Sequence, residues 1–337
     1  MIKQNKKSLV FIFIYIIVFF LGTTIVEGSE YHIGTYNILV ANKKTSWDKR
    51  KENLCNFILF NDYDIFGTQE VSPDQLVFFN NNLKSIYSNF DVGQNVKNND
   101  EHCTIFYKTK KFELLDGNTF WLSETPDKIS KGWDASINRI CTWVRLKDKN
   151  NNNEIWFFNT HLDNKGAKSR EESCKLILKK IKELCPKDAN IVLVGDFNVY
   201  YNNPVLKPIT ESQILKDTYT AANYKWTPTG TFNANSFDKI NIACIDQVFV
   251  SKTSNVLRYG ILNNNSFVID DKPVTDIRKI TANDYKNKTI NTLPLSDHYP
   301  VSVFVDFKDS SNSNNSNASQ NESIEKQLLK KLFKKKK

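Results

Sequence analysis

The chain is poor in the features that would mark a metal-stapled or repetitive protein. Its six cysteines, at 55, 103, 141, 174, 185 and 244, show none of the close paired spacing of a zinc site. Cys174 and Cys185 flank one expected helix, too far apart to bridge each other at about 1.5 Å of rise per residue. The six therefore either pair otherwise in an oxidising compartment or serve as small apolar core residues. No internal repeat is evident, and no linker divides the chain halfway. Charge is also missing where it would matter. The formal net charge is +9, but residues 1–28 hold three Lys against one Glu and the tail from Ser310 seven Lys against two Glu. Residues 29–309 keep only +2, so charge alone does not make the body a nucleic-acid binder.

What is present begins with an export signal. Lys3, Lys6 and Lys7 precede the apolar run Leu9–Leu21, and Val26-Glu27-Gly28 offers small residues for cleavage. Residues 1–28 read as a signal peptide, or as an uncleaved anchor if the run to Val26 spans a membrane. Sequons at Asn264, Asn287, Asn314, Asn317 and Asn321 fit a secreted or endolysosomal glycoprotein. At the other end, Ser310–Ser323 is a Ser/Asn-rich linker expected to be disordered. Residues 324–337 form a Lys-rich amphipathic tail, a solvated charge run or a weak contact for membrane or polyanion.

Between these ends, 29–309, the sequence predicts one α/β domain. Strands are expected at Tyr31–Leu39, Tyr63–Thr68, Cys103–Lys108, Arg139–Leu146, Ile155–Thr160, Ile191–Val194, Ile245–Val250 and Val301–Phe307. Ser72-Pro73-Asp74-Gln75 is a capping box opening a helix to about Leu83. Ser169 and Glu172 suggest a second box, before a helix with Cys174, Ile177, Leu178, Ile181 and Leu184 on one face. A further helix is expected over Trp47–Phe60. The segment Phe267–Leu293 reads as an insertion bordering whatever site lies beside it.

Five polar clusters end apolar runs: Thr35-Tyr36-Asn37, Thr68-Gln69-Glu70-Val71, Asn159-Thr160-His161-Leu162, Gly195-Asp196-Phe197-Asn198 and Ser296-Asp297-His298. Phosphoester hydrolysis needs a hard cation, an aligned and deprotonated water, and a stabilised leaving oxygen. Oxygen donors such as Glu70, Asp196, Asn198, Asn37 and Asp297, each ending a predicted strand, suit Mg²⁺. His161 and His298 are residues that donate to phosphate oxygens or relay a proton. Arg139 is either a bidentate phosphate donor or a structural ion-pair partner.

In this order, and with Ile245-Asp246 between the last two, the clusters resemble those of the endonuclease/exonuclease/phosphatase superfamily over Tyr31 to about Phe307. The resemblance implies a four-layer α/β sandwich, two packed mixed β-sheets flanked by helices. It implies Glu70 as principal metal ligand, with Asn37 and Asp297 near the metal. Asp196 would orient or deprotonate the water, Asn198 stabilise the transition state, Asp246 position His298, and His161 contact the phosphate.

Cys103–Lys108 looks most like the deadenylase–nocturnin branch, whereas Phe120–Ser123 and Gly132–Ala135 look like secreted microbial members. The elements typical of inositol-polyphosphate phosphatases are absent. The expected activity is a Mg²⁺-dependent phosphodiesterase, with Mn²⁺ as substitute, acting as a monomer. Its expected substrate is nucleic acid, RNA before DNA, as a 3′–5′ exoribonuclease or a broad nuclease. A sphingomyelinase-like lipid phosphodiesterase and a catalytically inactive binding protein are the alternatives.

Overall fold

The computed structural model describes residues 29–41, 46–95, 100–234, 241–281, 283, 286 and 288–307. The predicted export segment and the Lys-rich tail lie outside these residues. Along the chain the strands are β1 (Ser29–Asn37), β2 (Ile65–Val71), β3 (Tyr87–Phe90), β4 (His102–Lys108), β5 (Phe112–Trp121), β6 (Ile140–Asp148), β7 (Glu154–His161) and β8 (Asn190–Asp196). They continue as β9 (Leu215–Asp217), β10 (Tyr224–Trp226), β11 (Asp246–Ser251), β12 (Asn255–Ile261), β13 (Ser266–Ile269), β14 (Lys272–Pro273), β15 (Ile290–Leu293) and β16 (Val301–Phe307). The long helices are α1 (Trp47–Asn61), α2 (Pro73–Leu83) and α3 (Ala167–Leu184).

Seven strands form one sheet in the order β10-β12-β16-β1-β2-β4-β3, and six form a second in the order β5-β6-β7-β8-β11-β9. Their facing sides hold a shared core that includes Tyr31, Ile33, Val144, Phe157, Val192, Val248 and Val303. Helix α3 covers the outside of the second sheet through Cys174, Ile177 and Ile181. Helices α1 and α2 cover the first through Leu54, Ile58, Phe79 and Leu83. This is the four-layer arrangement that the sequence predicts. Each sheet carries a parallel pair near its middle, β1 with β2 and β7 with β8. The carboxyl ends of both pairs emerge on the same side of the molecule, where the polar clusters sit.

Several sequence readings need correction. The α2 box forms, with the Ser72 amide donating to Gln75 Oε1 at 2.9 Å, but the Ser169 box does not. Helix α3 starts earlier, at Ala167, and the Asp134 carboxylate, from a distant loop, accepts from the Ser169 and Lys168 amides. The insertion does not border the polar end. Its strands β13, β14 and β15 make a small separate sheet tied to α1, where Asn53 donates to Ser266 and Val274. The cysteines are unpaired, four of them buried. Asn264 is buried and donates to the Tyr36 hydroxyl, so the folded chain does not present that sequon to a glycan.

Arg50 of α1 is the largest side chain buried to within 2% of completely. Its guanidinium donates to the carbonyls of Ile38 and Leu39, and to that of Leu295 at 2.8 Å. These carbonyls lie just after Asn37 and just before Ser296-Asp297-His298. One cation thus ties together two segments some 250 residues apart in sequence. Burial lowers the guanidinium to about 10, which leaves it charged at neutral pH. Replacing it by Met should orphan these carbonyls and lower the unfolding free energy by roughly 3 kcal/mol. Urea unfolding of Arg50→Met tests this, and a change below about 1 kcal/mol would remove Arg50 from its clamping role.

Candidate active site

The register of the sheets brings the clusters together. On the second sheet His161 pairs with Asp196, and Asp196 pairs with Asp246, so three chemistry-bearing residues stand side by side on β7, β8 and β11. On the first sheet Asn37 pairs with Gln69, and a bulge between Thr68 and Val71 follows. Glu70 sits in that bulge with φ of 59°, a left-handed conformation costly for a non-glycine residue. The bulge turns its carboxylate toward the open end, as bulges near active sites commonly do. Gly195 precedes Asp196 with φ of 151°, and a Cβ there would lie 2.0 Å from the Thr160 carbonyl. Only glycine lets β7 and β8 pair closely enough to deliver Asp196.

The two sheets meet through Asn37. Its amide donates to Glu70 Oε1 at 3.0 Å and to Asp196 Oδ2 at 3.1 Å, while its own oxygen accepts from the Leu39 amide. Glu70 Oε2 accepts from the Val40 amide at 3.2 Å. Ser296 donates to the Asn37 carbonyl at 2.6 Å, and the His298 amide donates back to the Ser296 oxygen. Beneath them Gln69 reaches Thr35 and Asn159, and Asn159 donates to the carbonyls of Thr68 and Thr104. Gly67 leaves the space that Asn159 fills. Sequence reasoning quoted Gln69 and Asn159 inside the clusters without recognising this supporting layer. Alternation along β2 and β7, which points them toward the other sheet, is the signal that would have found them.

The histidines differ in charge. Burial would push His298 down, but the carboxylates of Asp246, Asp196 and Asp297 together hold it up at about 10. Its Nδ1 donates to Asp246 Oδ2 at 2.8 Å, and its Nε2 lies 3.7 Å from Asp196. His161, by contrast, is pushed well below its usual range by burial, by Arg139 and by His298, so it is neutral. Its Nε2 accepts from the Asn198 amide at 3.0 Å. That amide also donates to the Leu162 carbonyl. Burial and the neighbouring Asp246 push Asp196 above the usual carboxylate range.

These groups line an open cavity of about 590 Å³ that includes Glu70, Glu101, Arg139, His161, Asp196, Asn198, Asp297 and His298. Asp246 and Asn37 stand behind it and act through His298, Glu70 and Asp196. All nine residues predicted from the sequence are therefore gathered at one place. Glu101, which no motif flags, is added. Another hollow, among Tyr201, Tyr219 and Tyr259, offers no carboxylate or imidazole.

Glu70 and Asp297 both line the cavity, and among the described residues no lysine or arginine forms an ion pair with either. Burial pushes Asp297 up, His298 opposes this, and the Glu70 charge adds to it. Facing carboxylates without a cation of the chain's own fit a hard divalent ion with oxygen ligands. Asp196, Asp246 and His298 also bring donor atoms within 4.8 Å of one another. A histidine ligand must be a neutral imidazole, however, and His298 is held as imidazolium, so that trio suits proton and phosphate handling better. Arg139 is 4% exposed, and its Nε and Nη1 have no hydrogen-bond partner. Asp163 Oδ2, 3.6 Å away, is already occupied by the Ser136 amide and hydroxyl. These two nitrogens are closed off from solvent, and the guanidinium borders the cavity between Glu101 and Asp163, where it offers positive charge to an anion.

Residues 34–298 match the family model described as Endonuclease/Exonuclease/phosphatase family. A solved family member from Bacteroides thetaiotaomicron is 35% identical with a TM-score of 0.76, covering 84% of this chain and 99% of its own. A mannosyl-6-phosphatase of the same organism is 34% identical with a TM-score of 0.73, covering 82% and 100%. The human nocturnin catalytic domain shares the fold, at 16% identity and a TM-score of 0.58 over 83% of this chain and 95% of its own. An uncharacterized protein of Acanthamoeba polyphaga mimivirus is 29% identical over 191 residues, 55% of this chain and 63% of that relative's length.

His298 has a folded pKa above its unfolded value of about 6.5. The charged pair with Asp246 therefore stabilises the fold fully below pH 6.5, and this contribution is lost as pH rises toward 10. In the metal-free protein, NMR should show His298 still protonated at pH 8, and Asp246→Asn should lower its pKa. A His298 resonance titrating below pH 7 in the wild type would refute this assignment.

Proposed function

The chain belongs to the endonuclease/exonuclease/phosphatase family of metal-dependent phosphoester hydrolases, and from that premise we propose that it hydrolyses a small phosphomonoester, a sugar phosphate in the first instance. The observation that carries the hydrolytic reading is the convergence of the Glu70–Asn37–Asp196 bridge with the Asp246–His298 pair on one cavity. The 34% identity to the mannosyl-6-phosphatase, over that protein's full length, supports a sugar phosphate. A cavity of about 590 Å³ is also of small-ligand size.

Glu70 and Asp297 would hold the divalent cation, with Mg²⁺ the expected ion. When bound, it supplies charge neutralisation at the phosphate and a more acidic water. The chain's own groups do the rest. Arg139 and the His298 imidazolium donate to the non-bridging phosphate oxygens and stabilise the charge that grows there. Asp196 accepts the proton of the attacking water, a task suited to a carboxylate raised above its usual range. The Asn37 side chain and the backbone N–H of Asn198 fix that carboxylate, the latter at 2.9 Å. Neutral His161, 3.4 Å from Asp196 and anchored by Asn198, completes the wall against the phosphate. Water adds to phosphorus, the P–O bond to the alcohol breaks, the alkoxide takes a proton from solvent while Asp196 returns its own to solvent, and alcohol and inorganic phosphate leave.

A polynucleotide phosphodiester is the second reading, and the likeness of Cys103–Lys108 to the deadenylase–nocturnin branch favours it. The basic flank and apolar run at Leu9–Leu21 support an enzyme that works after export.

The test uses the purified chain with mannose 6-phosphate, 4-nitrophenyl phosphate, single-stranded RNA, single- and double-stranded DNA and sphingomyelin, in Mg²⁺, Mn²⁺ or EDTA. Phosphate release from mannose 6-phosphate should require the metal and fall about 10²- to 10⁴-fold in His298→Ala. Cleavage of a polynucleotide without release from the sugar phosphate would establish the second reading. Turnover of sphingomyelin alone would make the protein a lipid phosphodiesterase, and no turnover of any substrate would refute the hydrolase.

A further inference from the structure

The wall of the cavity beyond Arg139 has no part in phosphate chemistry, yet it is built with care. Asp163, buried completely, accepts from the amides of Lys165 and Gly166 at 3.0 and 2.7 Å and from the amide and hydroxyl of Ser136 at 3.0 and 2.7 Å. Asp134 in the same loop caps α3. Two loops are thereby locked together, and they present Ser136, Asn164 and Lys165 to the cavity. Opposite them stands Glu101, at the start of β4. Its carboxylate is 27% exposed and approaches Arg139 Nη1 only to 4.0 Å, beyond hydrogen-bond reach. A half-buried carboxyl and a buried arginine thus face the same space as a long ion pair, with no hydrogen bond between them.

Resting on the hydrolase reading above, we propose that Glu101 is a specificity-determining residue that accepts hydrogen bonds from hydroxyl groups of the leaving alcohol, so that the substrate is the phosphate of a polyhydroxylated molecule. With Arg139 on the phosphate, Glu101 lies about one ion-pair length from that guanidinium, within reach of the hydroxyls of a leaving alcohol that extends along this wall. Burial and the Glu70 charge raise this carboxyl to about 7, so it accepts when ionised and can also donate when protonated, and in either form its partners on an alcohol are hydroxyls. The Ser136 hydroxyl spends its hydrogen on Asp163 and keeps acceptor capacity, while Asn164 and Lys165 donate. This is a wall for hydroxyls. A nucleobase would need a stacking surface, and among the described residues Phe232 is the one phenylalanine, tyrosine or tryptophan lining the cavity, leaning on His298 with centroids 5.0 Å apart.

The test compares wild type, Glu101→Gln and Glu101→Ala on mannose 6-phosphate, whose alcohol carries hydroxyls, and on 4-nitrophenyl phosphate, whose alcohol carries none. The ratio of kcat/KM for the sugar phosphate to that for the aryl phosphate should fall about 10- to 100-fold in Glu101→Ala, as expected for a lost hydrogen bond to a charged group. The loss should appear mainly in KM. An unchanged ratio would overturn the proposal, as would an equal fall in kcat on both substrates, which would place Glu101 with the phosphate or metal instead. Calorimetric binding of mannose 6-phosphate to the same three proteins judges Glu101 without turnover. If the wild type hydrolyses neither substrate, the phosphomonoesterase reading fails, while weaker sugar-phosphate binding in Glu101→Ala would still uphold the subsite and equal binding would end it.

Discussion

Two carboxylates from different sheets share the two hydrogens of a single amide, and the rest of the site depends on that arrangement. Glu70 belongs to the seven-stranded sheet and Asp196 to the six-stranded one, and the Asn37 side chain donates to both. Like charges brought together in a buried place repel strongly. An amide between them offsets part of that repulsion and fixes their separation without adding charge. An arginine or lysine there would neutralise the pair and leave nothing for a cation to do. The core between the sheets sets how far apart they lie, and the Gln69–Asn159 layer carries that spacing up to the site.

The same economy governs the histidines. Both are buried at the polar end of the sandwich, His161 at the end of β7 and His298 just before β16, yet one is charged and the other neutral. His298 faces three carboxylates, whereas His161 faces Arg139 and the His298 charge itself. The protonation of one is thus a cause of the neutrality of the other, and the two are a coupled pair rather than separate acids. Removing either charge from its surroundings would alter both rings. A site of this kind offers a permanent donor on one side of the phosphate and a neutral, hydrogen-bonded wall on the other.

Much of this was legible in the sequence because strand ends with polar residues are local features. Eight expected strands and three helices appear close to their predicted limits, and the clusters fall at the ends of β1, β2, β7 and β8. Strand β5 escaped because it is an edge strand whose middle residues are exposed, so Leu114 and Leu115 break the alternation. Strands β9 and β10 are three residues each, too short to show a period. The Ser169 box misled because the true cap, Asp134, comes from 35 residues upstream. Arg50 was invisible for a related reason. Within Asp48-Lys49-Arg50-Lys51-Glu52 it reads as one more solvated charge, and only the tertiary fold turns it inward against three carbonyls.

Glu101 and Arg139 raise a harder question, because each is a liability to the folded protein. A buried guanidinium with two unpartnered nitrogens costs stability, and so does a left-handed Glu70. A modest shift of Glu101 toward Arg139 would relieve the first, yet the two remain 4.0 Å apart. The reason lies in what surrounds them. Asp163, which is the nearer carboxylate to Arg139, is consumed by four donors from the Ser136 and Lys165 loops and has no acceptor site left for the guanidinium. Glu101 precedes a strand paired on both sides, β4 between β2 and β3, and its backbone cannot advance without breaking those ladders. The scaffold therefore holds a cation and an anion close but apart. Under the proposed subsite, a ligand bearing an anion for one and hydroxyls for the other would satisfy both at once, and the cost left in the free protein would be recovered on binding.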